Sequence, residues 1–178
     1  MLFITAILVY LAHDGTNNSI AATIRNNIIL SPKAGGGHHV DFMSATSNTT
    51  GLTFDYNLYY PDTNGGTNMF NWKNVDCTDF ADWKNDSSGD ANSLVANPLF
   101  LNAGGSYALD TDFKIQSTSP CIDAGTDVGL TEDYAGNHIV GAPDIGGYEY
   151  QFFSNRFPRV LPYRVPYRVP ERKGGRLQ

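Results

Sequence analysis

The chain reads as an all-β fold of short strands stacked as successive coils, and two observations predict it. Gly, Asn, Asp, Ser and Thr are abundant and aromatics reach 12%, while charged residues are only 17%. That composition suits short strands joined by tight turns and argues against a helical bundle. The second observation is a repeat. Laying Asn27 on Asn57 aligns Ile24-Arg25-Asn26-Asn27-Ile28-Ile29-Leu30 with Phe54-Asp55-Tyr56-Asn57-Leu58-Tyr59-Tyr60, an offset of 30 residues. This is the length of one solenoid coil that carries a loop. At 178 residues a single domain with a sizeable core is expected.

Residues 1–19 open with Met1 to Ala12, an apolar run too short to span a bilayer. It is read as an apolar strand or a signal-like segment. The β-branched and aromatic residues Ile4, Thr5, Ile7, Val9 and Tyr10 favour the strand. A secretory signal would need a positive start, which this run lacks.

Residues 20–150 form the folded body. Within the repeat, Ile24 is expected to stack on Phe54 and Ile28 on Leu58 as an apolar column along the inside. Arg25 would lie beside Asp55 on the outer face. Asn27 over Asn57 suggests an asparagine ladder, each amide bonding its twin one coil away, since Asn tolerates the left-handed backbone of a tight turn. Between the two segments lies a Gly-rich excursion, Ser31 to Gly37, followed by His38-His39-Val40-Asp41-Phe42. Thr67 to Trp72 reads as a short strand. Thr78 to Lys84 reads as a short helix with Thr78 as its cap, acids in its first turn, and Phe80 and Trp83 on one face.

Three later phrases are specific. They are Ala96-Asn97-Pro98-Leu99-Phe100, then Ser119-Pro120-Cys121-Ile122-Asp123-Ala124-Gly125, then Asp144-Ile145-Gly146-Gly147-Tyr148-Glu149-Tyr150. In this order they resemble the DP-x-F, SPAIDAG and DIGAYE ending of extracellular right-handed parallel β-helix proteins of the pectate-lyase-like superfamily. The run Ala81-Asp82-Trp83 through Asp90-Ala91-Asn92-Ser93 resembles a phrase that precedes that ending. The resemblance covers roughly residues 78–150, with a weaker solenoid match back to about residue 20. It implies a right-handed parallel β-helix of a few coils with one short helix, outside the cell or on its surface. Three positions depart from the pattern: Asn97 replaces an Asp, Cys121 an Ala and Gly147 an Ala. Asn97 removes a charge and so weakens metal binding there.

After Tyr150 the composition changes. Pro162-Tyr163-Arg164-Val165 repeats as Pro166-Tyr167-Arg168-Val169 before Pro170, and Pro at every fourth residue forbids a helix. Residues 151–178 read as a basic, disordered tail with no core of its own. Residues 1–150 hold five basic against 17 acidic side chains, a net −12, and residues 151–178 hold seven against Glu171 alone, a net +6. The acidic body excludes nucleic acid as a partner, because phosphate binding needs clustered Lys and Arg. The tail is suited to polyanions or to its own acidic body.

Within this frame the chemistry is sparse. β-Helix proteins that act on polysaccharide use a groove along one parallel sheet. A lyase needs a base and a cation near the uronate carboxylate. A hydrolase needs two carboxyls across a sugar. The candidates are Arg25, His38, His39 and Asp41, with Asp55 as a possible partner of Asp41. Tyr59, Tyr60 and Trp72 are candidate stacking surfaces for sugar rings. Asp110 and Asp112, with Asp123 or Asp133, are candidate ligands for Ca²⁺, the ion such hard oxygens suit. The competing reading makes the aspartates turn caps, with Ile122 filling the core, Asp123 fixing the turn at Gly125, and 144–148 sealing the last coil. Cys121 is expected to be a buried thiol, and a Cys77–Cys121 bridge remains open.

Three functions therefore stand. The first is a non-catalytic C-terminal part of a secreted or cell-surface β-helix protein that binds or helps process polysaccharide. The second is a polysaccharide lyase or glycoside hydrolase whose catalytic coils lie upstream. The third is a surface-adhesion or structural module.

Overall fold

A computed structural model describes residues 22–30, 40–42, 49–60, 70–103 and 110–152. The apolar N-terminal run, the Gly-rich excursion with His38 and His39, and tail residues 153–178 lie outside the described residues.

The fold is mostly sheet with one short helix. Three strands, β1 (Ala22–Arg25), β2 (Ile28–Leu30) and β3 (Val40–Phe42), are followed by β4 (Leu52–Asp55), β5 (Leu58–Tyr60) and β6 (Phe70–Trp72). Each strand of the first set pairs in parallel with its counterpart in the second. Ile24 faces Phe54, Ile28 faces Leu58 and Val40 faces Phe70, so all three registers share the 30-residue offset seen in the sequence. Strand β7 (Val75–Cys77) turns back antiparallel to β6, α1 (Phe80–Ser87) follows, and β8 (Leu94–Val95) adds in parallel to β5.

Asn26-Asn27 and Tyr56-Asn57 turn the chain from one sheet into the next. The left-handed residues are Asn26 (φ 57°) and Tyr56 (φ 56°), one place before the asparagines of the ladder. The ladder itself is formed. Asn27 donates from Nδ2 and from its backbone N–H to Asn57 Oδ1, both at 3.2 Å, and Asn57 Nδ2 reaches back to the Ile24 carbonyl at 2.9 Å. Amides that cross between the strand pairs leave no buried donor of the turn without a partner, which is what fixes the register.

Two cores lie on opposite faces of the β2–β5–β8 sheet. Ile29, Val40, Phe54, Tyr59, Phe70, Cys77 and Trp83 form the first. Its aromatic rings interlock: Phe70 stacks on Trp83 at 5.0 Å between centroids, and Phe54 and Trp72 meet Trp83 edge-on. Leu58, Phe100, Ile115, Cys121 and Ile145 form the second, with Ile28, Leu30 and Tyr60 packed against it. Ile28 and Leu58 do stack in register, but they belong to the second core. Ile29 and Tyr59 are the side chains that face the first. A strand covered on both faces carries apolar residues at both parities, so alternation does not reveal which face is inner.

Helix α1 lies against β6 and β7. Asp79, not Thr78, is its cap, its carboxylate accepting from the N–H groups of Ala81 (2.8 Å) and Asp82 (2.9 Å). Thr78 instead bonds the Asp82 carboxylate. The helix ends at Ser88, which takes the left-handed conformation. Phe80 and Trp83 share a face as expected, with Trp83 fully buried and Phe80 packed on the same core.

The closing segment, described over residues 96–103 and 110–150, covers the second face of the β2–β5–β8 sheet with Phe100, Ile115, Cys121 and Ile145. It returns to the first turn across a hundred residues. Asn26 exchanges two hydrogen bonds with the Thr126 backbone, at 2.7 and 2.9 Å, and accepts at its own carbonyl from the Gly146 N–H at 3.0 Å. Gly125 sits in this crossing, where a β-carbon would stand 2.7 Å from the Pro143 carbonyl oxygen and 3.1 Å from Asn26 Oδ1. At Gly146 (φ +123°) a β-carbon would stand 3.0 Å from Ile28 Cδ1. Cys121 and Ile145 are the fully buried side chains here, with Ile122 half-buried beside them.

Candidate functional site

A fully buried polar constellation was not singled out in the sequence. Asp90 is 0% exposed and takes the left-handed conformation (φ 54°) in the turn before β8. Four side chains donate to it: Tyr59 Oη at 2.8 Å and Trp83 Nε1 at 2.6 Å to one oxygen, Asn57 Nδ2 at 3.2 Å and Ser93 Oγ to the other. Its own N–H donates to the Phe54 carbonyl at 2.7 Å. One carboxylate thus joins β5, the asparagine ladder, α1 and the turn into β8. Burial, and then the Asp90 charge, push the Tyr59 hydroxyl well above its ordinary pKa of 10.0. Sealed from solvent, the group holds these elements together and reaches no substrate. The visible signal for it was Asp90 within the Gly89-Asp90-Ala91-Asn92-Ser93 phrase, but its donors lie 3 to 33 residues away.

A second acidic group clamps the closing segment. Asp144 accepts from the N–H groups of Asp123 (2.8 Å) and Tyr150 (2.5 Å), and Glu149 from those of Val140 and Asp144, both at 3.2 Å. Asp133 accepts from the N–H groups of Ala135, Asn137 and Glu149 and from the Asn137 amide. Burial pushes the Asp144 and Glu149 carboxyls up, against the pull of these N–H groups. At Asp133 burial also pushes up, but the Asn137 amide and the backbone donors outweigh it and the pKa is lowered. All six oxygens are engaged, so the cluster acts as a set of turn clamps.

The residues singled out in the sequence are not brought together. Arg25 is exposed on β1 in register with Asp55. The Asp55 carboxylate, however, takes the N–H (2.8 Å) and the side-chain amide (3.0 Å) of Asn92. Asp41 lies on β3 with Asn71 as its register neighbour, so Asp41 and Asp55 sit in different sheets and do not oppose one another. His38 and His39 fall outside the described residues.

The stacking platform must be corrected. Tyr59 is 0% exposed with its ring edge-on to Phe70 at 4.9 Å, so no sugar reaches it. Tyr60 and Trp72 are half-buried but belong to different cores: Tyr60 accepts from Asn97 Nδ2 at 3.3 Å, and Trp72 lies under Lys73 Nζ at 5.6 Å.

The aspartates proposed for Ca²⁺ also separate. Asp110 and Asp112 lie on one 3₁₀ turn (Asp110–Phe113), where buried Asp112 accepts from Asn102 Nδ2 at 2.8 Å. Asp123 is exposed and left-handed (φ 53°) in the next phrase. Asp144, rather than Asp123, takes the hydrogen bond that pins this turn. Among the described residues no group of three or more His, Cys, Asp and Glu side chains is placed to hold a metal ion.

Cys77 and Cys121 are free thiols in separate cores, so the bridge is not made. Burial pushes Cys77 up to about 11 and Cys121 to about 12.

Exposed on β1 and β4 is a polar strip, Thr23, Arg25 and Thr53, with Thr53 Oγ1 donating to Thr23 Oγ1 at 3.2 Å. No helix of the described residues is long and apolar enough to cross a membrane. No protein-family profile, curated protein or solved structure matches the chain.

Proposed function

We propose that residues 22–150 are the closing coils of a right-handed parallel β-helix, and that the chain is a non-catalytic, polysaccharide-binding part of a secreted or cell-surface protein. The stacking of three strand pairs at one shared 30-residue offset supports the coil reading, as does the resemblance of residues 78–150 to a β-helix ending. The observation that carries the non-catalytic reading is the burial of the β2–β5–β8 sheet on both faces. A groove along that sheet is filled by the chain's own closing segment. The polar strip of Thr23, Arg25 and Thr53 is the surface we assign to glycan, because hydroxyl and guanidinium donors at strand spacing suit repeating sugar hydroxyls.

The test is incubation of the purified chain with uronate-containing and neutral polysaccharides, with and without Ca²⁺. Retention on one class of glycan, without new unsaturated or reducing ends, is the expected result. Turnover would replace this reading by a lyase or hydrolase. Neither retention nor turnover would remove glycan from the function.

A further inference from the structure

A cavity of about 170 Å³ lies within the closing segment, walled by Leu101, Lys114 and Ile115, by Asn137, and by the stretch Tyr148 to Gln151. Hydrogen bonds fix its walls. The Leu101 N–H donates to the Lys114 carbonyl at 2.7 Å, the Tyr150 N–H to Asp144 at 2.5 Å, and the Asn137 amide to Asp133 at 2.9 Å. A preformed cavity spends little on ordering when a ligand enters. About 150 Å³ already suffices for a benzene ring, so this one has room for a single six-membered ring.

Its charge is out of keeping with its surroundings. Residues 85–152 carry ten Asp and Glu but one Lys or Arg, Lys114. Among the described residues Lys114 forms no ion pair, and its Nζ lies over the Tyr148 ring, 5.7 Å from the centroid. A ring face attracts an ammonium without neutralising it. The carboxylate that shares the cavity, Glu149, gives both oxygens to the N–H groups of Val140 and Asp144. A half-buried ammonium is thus left facing a cavity without an anion, a cost that a bound carboxylate would relieve. Beside it, Asn137 Oδ1, the Tyr150 hydroxyl and the Gln151 amide make no hydrogen bond among the described residues.

We propose that this cavity binds a small acid, one carboxylate carried on a single six-membered ring, with Lys114 as its counter-ion. One cation answers one charge. A phosphate ester carries nearly two at neutral pH and would leave part of its charge unanswered. Leu101 and Ile115 supply apolar surface for the ring, and the three uncommitted polar groups serve its substituents. A sugar acid and an aromatic acid share this chemistry. The site uses none of the residues of the Thr23–Arg25–Thr53 strip and does not rest on the glycan reading.

The experiment is calorimetric titration of the full chain at neutral pH with galacturonate, benzoate and, as the uncharged control, galactose. At least one acid is expected to bind in the millimolar range or tighter, ordinary for a ligand of so few atoms, and galactose several-fold more weakly than galacturonate. The acid that binds tells whether the source is a sugar acid or an aromatic one. Lys114→Gln should weaken that acid several-fold, and Arg25→Gln should leave it unchanged. Absence of binding by either acid at about 20 mM would overturn the proposal. So would an affinity that ignores Lys114→Gln, or one lost in Arg25→Gln instead, which places the acid on the strip. Should Lys114→Gln fold poorly, Leu101→Glu decides: this position is 60% exposed, and a negative charge there should repel the acid several-fold. An acid indifferent to Leu101→Glu would then overturn the proposal.

Discussion

Replacing Asp90 by Ala tests the claim that one buried carboxylate organises the first core. The substitution removes the acceptor of four side-chain donors. Asn57 Nδ2 keeps the Ile24 carbonyl at 2.9 Å and Ser93 Oγ keeps the Asn57 N–H at 2.8 Å. The Tyr59 hydroxyl and the Trp83 indole N–H lose a partner deep in the core, at about 1–3 kcal/mol each. Ala at a left-handed position adds about 1 kcal/mol more. Relief from burying a charge offsets part of this. The net loss is about 3–5 kcal/mol, a large share of the roughly 5–15 kcal/mol that holds an ordinary domain together. With a urea slope of about 2 kcal/mol/M, the unfolding midpoint should fall by roughly 1.5–2.5 M. Trp83 fluorescence and far-ultraviolet circular dichroism should report it together. A fall below about 0.5 M at unchanged slope would refute the reasoning, because it would mean that Tyr59 and Trp83 find other acceptors. Asp90→Asn should recover part of the loss, since Asn tolerates the left-handed backbone and keeps one oxygen.

Gly125→Ala should cost about 1–3 kcal/mol, read from the urea midpoint, because its β-carbon would strike the Pro143 and Asp144 carbonyl oxygens and Asn26 Oδ1. The raised carboxyls of Asp144 and Glu149 set a sign for pH dependence: the folded state holds their protons more tightly, so their contribution falls as pH rises from their ordinary values of 3.8 and 4.5 through the raised ones. Glu149→Gln should flatten that fall in a stability-versus-pH series, and an unchanged slope would count against it. The lowered pKa of Asp133 acts oppositely, its contribution being present above 3.8 and lost as pH falls through the depressed value. Neither thiol should react with a thiol reagent near pH 8 in the native chain, and both should react after unfolding. Reaction of just one pool, or of none in urea without reductant, would contradict two buried free cysteines.

The sequence by itself determined the strand class, the 30-residue offset, the asparagine ladder and the helix with Phe80 and Trp83 on one side. These are legible because they rest on local backbone preference and on side-chain identity repeated at a fixed spacing. It did not determine which face of the strands is inner. Ile28-Ile29-Leu30 and Leu58-Tyr59-Tyr60 are apolar at both parities, and the cover for the second face comes from a segment about a hundred residues away. Tyr59 points to the opposite face, where Phe70, Phe80 and Trp83 bury it and make it a core residue rather than a sugar platform. Distance in sequence hid the carboxylates as well. Asp41 and Asp55 were candidate partners but belong to different sheets, whereas Asp90 was marked only as part of the Asp90-Ala91-Asn92-Ser93 phrase. Only the tertiary structure gathered Tyr59, Trp83, Asn57 and Ser93 around it, since a buried carboxylate persists only where the fold brings enough donors to one point.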